Sequence, residues 1–423
     1  MALSLPQGWR LAGVLQPSSL PGVSDPLSEV RRSLQEPISS ARLRDIARPG
    51  MRVTLVIDDA SRPTPVSSLL PAVLAELEQG GVQREDVILI TALGLHRPMR
   101  EDEVAGRVGD SMLTGLRWVN HNCDDREHLA YLGTTTRGTP VYLHQAVAQA
   151  GLVVSIGCIE PHIIASFGGG LKNLIPGIAG RETVAHNHTL NCSPGTFNMV
   201  GQPIAGNPMR LDLEEGAQML SAPVFIVNAV LNSALQVVRV VSGNPVAAHR
   251  EGAQVSATLY GVPVPRPADV VITNSHPMDQ DLRQGVKALA NTIRAVRPGG
   301  VQITLIRAEE GVGVFGLANR RLPLGRGALQ ALAPLLVRLV PRLKLQGMGE
   351  EDRFFLYFAL QAMRHARLLV YAPTIPAQTR AALPFVQFVD SPQEAIAIAR
   401  RRFPRQADVL VFPHGGVTYP ILG

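Results

Sequence analysis

The sequence predicts two α/β domains built on mainly parallel sheets, and three observations carry that expectation. Short β-branched runs alternate with longer helical ones along the 423 residues. A proline-rich passage, Gly261 to Pro267, interrupts the alternation, which restarts after it. Polar clusters stand just after the C-terminal ends of the predicted strands, where open parallel sheets place their ligands. The expected domains are residues 1–263 and 264–407, with a tail, 408–423, opened by Gly415-Gly416 and folding back onto the first domain.

Met51 to Ile57 reads as a buried strand that ends in Asp58-Asp59-Ala60-Ser61-Arg62-Pro63. A helix from Ser67 to Gln79 follows, stopped by Gly80-Gly81. Asp86 to Thr91 is the next strand, running into Gly94-Leu95-His96-Arg97-Pro98, and Gly151 to Ile159 is another, ending in Glu160-Pro161-His162. Val224 to Val230 completes the first series. Beyond the proline-rich linker, Ala268 to Thr273 is a strand, Gln280 to Val296 a helix closed by Pro298-Gly299-Gly300, and Val301 to Ile306 a strand. Leu368 to Tyr371, Val386 to Val389 and Ala407 to Phe412 continue as strands, with Ser391 to Arg402 as a helix.

Composition narrows the class. An apolar fraction of 46% with 17% charged residues supplies an ample core. Met1 to Trp9 lacks a signal-peptide pattern, and the longest apolar run, Gly151 to Phe167, is broken by Glu160, Pro161 and His162. Cys123, Cys158 and Cys192 have no disulfide or zinc spacing, so a reduced cytoplasmic protein is expected. The net charge of +6 comes from dispersed arginines, clustered only at Arg320–Arg321 and Arg400 to Arg405, and aromatic residues make up 4%. That argues against nucleic acid and suits an enzyme of anionic substrates. Of 40 basic residues only Lys172, Lys287 and Lys344 are lysine. A position that keeps lysine in so arginine-rich a chain is a candidate for chemistry that needs an amine.

The densest motif runs from Glu160-Pro-His162 through Gly168-Gly169-Gly170 to Lys172 and Pro176-Gly177. A triple glycine after a strand can bring backbone amides to a phosphate, or can simply make a tight turn. Lys172 is not at Walker-loop spacing, and no Ser or Thr follows it. His186 and His188 are two apart and do not share a helix face, but either alone could give one imidazole to a metal. Asp59 could orient an imidazole, and Arg62 offers a planar fork for a carboxylate; a helix cap with an exposed arginine is the plain alternative. His96 and His162, both at strand ends, could serve as base and acid on a substrate. Gln284 and Lys287 are three apart and share one helix face.

Together these segments resemble the nickel-dependent lactate racemase family. The resemblance rests on Asp59 to Pro63, Gly94 to Pro98, Glu160 to Gly177, Asn187-His188 and Gln284 to Lys287, five elements in the family's order and close to its spacing. It implies a two-domain α/β fold with the active site in the interdomain cleft and the cofactor on the first domain. It implies a nickel-pincer nucleotide, a pyridinium thioamide/thiocarboxylate mononucleotide, tethered covalently to Lys172 with His188 completing the nickel coordination. Gly168, Gly169 and Gly170 would help hold its phosphate. The implied reaction is racemisation or epimerisation of a small 2-hydroxy acid by hydride transfer through a 2-keto acid. One of His96 and His162 would take the hydroxyl proton, Asp59 would orient His96, Arg62 would hold the carboxylate, and Gln284 and Lys287 would steady the oxygens. The implied partners are the substrate and cofactor-synthesis enzymes, with no nucleic acid and no membrane, and the oligomeric state is left open.

Two departures bear on the substrate. The family's lactate enzymes carry a tyrosine where this chain has Arg283, and a tryptophan near the segment 349–355, whereas the only tryptophans here are Trp9 and Trp118. Arg283 could meet a second carboxylate or polar group on a larger acid. Two rival readings remain. A nicotinamide-type oxidoreductase would need a Gly-x-Gly-x-x-Gly turn that is missing from any suitable place. A non-catalytic small-anion binder would use Arg62, Lys172 and Lys287.

Overall fold

Twelve strands build two six-stranded sheets in the computed structural model, which describes residues 4–313, 316–319, 324–342 and 350–422. Lys344, Arg320, Arg321 and Gly349 lie outside the described residues. In chain order the strands are β1 (Trp9–Val14), β2 (Val53–Asp58), β3 (Val87–Ala92), β4 (Arg117–Asn120), β5 (Leu152–Cys158), β6 (Val224–Leu231), β7 (Val237–Gly243), β8 (Ala268–Asn274), β9 (Val296–Leu305), β10 (Arg367–Tyr371), β11 (Gln387–Val389) and β12 (Ala407–Phe412). The helices that matter for the site are α1 (Val66–Gln79), α2 (Arg181–Thr189), α3 (Pro208–Ala217), α4 (Ala247–Tyr260), α5 (Leu282–Thr292), α6 (Arg326–Leu339), α7 (Glu350–His365) and α8 (Pro392–Arg402).

The first sheet has the order β7-β6-β5-β2-β3-β4, parallel throughout except for the β6–β7 pair. All residues of β2 and of β5 are buried, as expected of strands covered on both faces. Helix α1 covers one face with Val66, Leu69, Leu70, Val73, Leu74 and Leu77, a stripe at helical spacing. The second sheet, β1-β12-β8-β9-β10-β11, is parallel in every pair. Among the described residues no helix is long and apolar enough to cross a membrane.

Two expectations about the division of the chain need correction. Strand β1 pairs with β12 in the second sheet, so the first residues belong with the C-terminal half rather than to a continuous unit 1–263. Residues 408–412 likewise sit inside the second sheet, and only the segment beyond them crosses back. There Tyr419–Leu422 pairs in parallel with Gly261–Val264, and Tyr419 packs against Phe167 of the first lobe. The proline-rich passage is therefore half strand, its backbone held by the returning tail, and not a free linker. The turn Pro298-Gly299-Gly300 is absorbed into β9, whose pairing with β8 shifts register there.

Candidate active site

The C-terminal ends of β2, β3 and β5 form one wall of a cavity of about 230 Å³, and the second lobe closes it with α5, α7 and the segment around β10 and β11. Asp59, Arg62, His96, His162, Lys172, His188, Gln284 and Lys287, eight residues far apart in the chain, all line it.

Asp59 follows β2 directly and is buried. Its Oδ2 lies 2.5 Å from His96 Nδ1, while Oδ1 accepts from the amide (3.1 Å) and hydroxyl (2.5 Å) of Ser61. Burial alone would raise its pKa, but the His96 hydrogen bond and charge, with help from Ser61 and Arg62, hold it well below the usual carboxylate range. An ionised carboxylate only accepts, so His96 Nδ1 carries a proton, and in the neutral ring the Nε2 lone pair faces the cavity. The Arg283 guanidinium reaches across the cleft to that atom, with Nη1 and Nη2 each 3.4 Å away. The neighbouring Asp58 has a separate, structural task. It is buried and bonded to Arg107 and Thr64.

His162 is arranged the opposite way. Its Nδ1 accepts from the backbone amides of Ile164 (3.2 Å) and Ala165 (3.1 Å), so the neutral ring holds its proton on Nε2. Burial first, and then the charges of Lys172 and Arg62, push its pKa well down. The two histidines therefore offer unlike groups: an acceptor at His96 and a donor at His162.

Arg62 pairs with Glu160, with Nη1 to Oε1 at 2.6 Å. Burial would raise the Glu160 pKa, but Lys287, Arg62 and Lys172 together hold it below the ordinary value. The two lysines are affected the other way. Burial, reinforced by Arg62 and Arg210, lowers Lys172 to about 7, and burial, against the pull of Glu160, lowers Lys287 to about 8. No hydrogen bond or ion pair of the Lys172 amine occurs among the described residues, which leaves a half-buried nucleophilic nitrogen facing the cavity.

His188 and His186 point to different sides of α2. His186 meets Thr139 Oγ1 at 2.8 Å, whereas His188 lines the cavity and donates from Nδ1 to the carbonyl of Val184 at 2.9 Å. That bond fixes the tautomer with the Nε2 lone pair directed away from the helix, the usual arrangement of an imidazole ligand. No group of three His, Cys, Asp or Glu side chains suited to a metal occurs among the described residues. A metal at His188 would therefore need most of its donors from a bound molecule. Gln284 contributes another open valence: its Oε1 is buried in the cavity wall without a hydrogen-bond partner among the described residues.

The triple glycine does not join these residues, and the phosphate-cradle expectation for Gly168, Gly169 and Gly170 needs correction. None of the three lines the cavity. The amide of Gly168 donates to Glu160 O (2.7 Å) and that of Gly170 to Asn228 Oδ1 (2.6 Å), so two of the needed donors are already used. Gly169, at φ +68°, has no room for a Cβ, which would fall 2.7 Å from the Cys158 carbonyl oxygen. The turn packs backbone on backbone to aim Lys172.

The residues that hold this turn escaped the sequence reading. Arg210 of α3 is fully buried and donates to the carbonyls of Ala165, Phe167 and Gly169, while His249 of α4 bonds Gly168 O at 2.9 Å. A polar Asn228 in the apolar run of β6 was the one visible signal. Also unforeseen is the apolar side of the cavity. Phe355, Phe358, Ala359 and Ala362 form one stripe of α7, facing Leu383, Phe385 and Phe388.

Fold and cleft together define a two-lobed α/β protein whose candidate catalytic groups stand at the strand ends of one lobe and are capped by the other. The model of the lactate racemase N-terminal domain matches residues 1–197. A lactate racemase of Thermoanaerobacterium thermosaccharolyticum is 30% identical over 321 residues, 75% of this chain and 74% of the relative. The lactate racemase of Lactiplantibacillus plantarum is 29% identical over 291 residues, 68% of this chain and 67% of its own. This chain belongs to the lactate racemase family. The lactate racemase apoprotein of T. thermosaccharolyticum has the same fold, with TM-score 0.85 at 24% identity over 100% of this chain and 97% of that one. A Thermotoga maritima protein of solved structure shares it more loosely, with TM-score 0.68 at 17% identity over 95% and 99% of the two chains.

Proposed function

We propose that this protein is a racemase or epimerase of a small 2-hydroxy acid that works with a nickel-pincer nucleotide tethered to Lys172. The observation that carries the proposal is the meeting, in one cavity, of an unpartnered low-pKa amine, a tautomer-fixed imidazole and an Asp–His pair. The donor set fits that cofactor. Lys172, with an amine nucleophilic near neutral pH, would hold the group through a thioamide, and His188 would give its metal one nitrogen. When bound, the group supplies a reversible hydride acceptor.

The chain's own residues would do the rest. The free edge of Arg62, fixed by Glu160, and the ammonium of Lys287 bind the substrate carboxylate. His96 takes the hydroxyl proton at Nε2, held in the right tautomer by Asp59. His162, with its proton on Nε2, donates a hydrogen bond to a substrate oxygen. These residues would also hold the planar 2-keto acid that the substrate would become without its hydroxyl proton and C2 hydride, and addition to the opposite face would give the other enantiomer. The apolar wall excludes water from these steps. A cytoplasmic setting, where cofactor-synthesis enzymes would act, belongs to the same reading.

The test is to incubate cofactor-loaded protein with single enantiomers of a panel of 2-hydroxy acids deuterated at C2. Inversion of at least one acid with the label retained is expected. Absence of inversion across the panel, or wash-out of the label into solvent, would contradict the proposal.

A further inference from the structure

On the second lobe, at the N-terminal end of β10, lies an open concavity of about 490 Å³, separate from the catalytic cavity. Arg326, Arg364, His365, Arg367 and Arg402 line it, and among the described residues no Asp or Glu does. Several arginines elsewhere on the surface find carboxylates, as Arg97 does with Glu103, Arg181 with Asp124 and Arg380 with Asp390. Here none of the four guanidiniums has a carboxylate within 4.0 Å among the described residues, and their hydrogen bonds go to neutral acceptors.

The arrangement is tightest at Gln387. Arg326 Nη1 and Arg367 Nη2 donate to the same Oε1, at 2.8 and 2.7 Å, so two like charges converge on one uncharged oxygen. Arg364 bonds Gln361 Oε1 at 3.0 Å, and Arg402 bonds the carbonyl of Gly299 at 2.7 Å. Repulsion among these forks is relieved by an anion that accepts from several of them at once. The 14-residue helix α6 also starts at the rim, with Gly325 as its cap and no side chain bonding its first amides. Among the described residues the lining contains no Phe, Tyr or Trp, so a base finds no broad stacking platform and charge is what the site reads.

We infer that this concavity is a second binding site, for a small phosphoanion of the pyrophosphate type, either free or as the end phosphates of a nucleotide. Arginine forks match phosphate oxygens in bidentate fashion, and an anion of two or more charges satisfies Arg326 and Arg367 together. The site is independent of the racemase reading, since it shares no residue with the catalytic cavity.

The test is calorimetric titration of pyrophosphate, orthophosphate and ATP at constant ionic strength. It compares the native chain with Arg326→Gln/Arg367→Gln, with Arg364→Gln/Arg402→Gln, and with Lys287→Gln, which alters only the catalytic cavity. Pyrophosphate should bind once per chain and weaken by about tenfold or more in both double variants, with Lys287→Gln unchanged. Equal affinity for ATP would assign recognition to its end phosphates, whereas tighter binding of pyrophosphate would assign it to the free anion. Unchanged affinity in both double variants, or loss of binding in Lys287→Gln, would overturn the inference. So would displacement of pyrophosphate by duplex DNA, which would mark a nucleic-acid surface instead.

Discussion

The two walls of the candidate catalytic cavity differ in kind. On the first-lobe wall most polar groups are fixed by another: Asp59 by Ser61 and His96, Arg62 by Glu160, His162 by two backbone amides, His188 by a helix carbonyl. The second-lobe wall is largely apolar, and its polar members on α5 are fewer, with Gln284 Oε1 unpartnered among the described residues. Preorganised groups serve steps whose charges and protons must be placed closely, whereas an apolar wall with few anchors serves selection among side chains. The division suggests that chemistry resides in the first lobe and substrate choice in the second, and each half of that statement can be broken separately.

Replacing Asp59 by Asn should hurt most. It puts an amide, which can donate as well as accept, in place of the carboxylate that sets the His96 tautomer, so kcat should fall by about 10²-fold or more with little change in KM. A purely structural role for Asp59 would instead lower the melting temperature and leave the pH profile of the residual activity as it was.

Next in size is a pH effect on the unloaded protein. The amine of Lys172 is neutral above about 7 and protonated below it, and only the neutral form is nucleophilic. Its acylation by an amine-reactive ester, read by peptide mass spectrometry, should rise about tenfold per pH unit below that value and level off above it. Lys287 should level off nearer 8. A Lys172 rate still climbing steeply at pH 9 would show that its ammonium is not destabilised.

On the second lobe, Phe358→Ala should raise KM by about tenfold while kcat stays within a few-fold. It should also cost about 3 kcal/mol of stability, because Phe358 packs on Phe197 with ring centres 5.6 Å apart. A large fall in kcat with KM constant would place chemistry on the wrong wall. The smallest effect is expected for Arg283→Gln, about a few-fold in kcat/KM for monocarboxylic acids and more for acids with a second carboxylate. Equal effects on every accepted acid would remove Arg283 from substrate selection.

Much of this was legible in the sequence. The strands β2, β3, β5, β8 and β12 are apolar runs rich in β-branched residues, and the positions of Asp59 and His96 follow from standing just after β2 and β3. What escaped depends on partners remote in the chain. Strand β1 is mostly exposed and is a strand because β12, nearly 400 residues later, pairs with it. Whether the amides of Gly168 and Gly170 are available for a phosphate is decided by Glu160 and by Asn228 on another strand, and spacing alone cannot show that. The unlike tautomers of His96 and His162 are likewise set by contacts that no motif encodes.

The most direct test of the central claim is intact-protein mass together with nickel content, on protein produced with cofactor-synthesis enzymes, beside a Lys172→Ala control. The account predicts a mass increase equal to one nucleotide and about one nickel per chain, both lost in the variant. An unmodified mass without nickel, under conditions that load a lactate racemase relative, would contradict it.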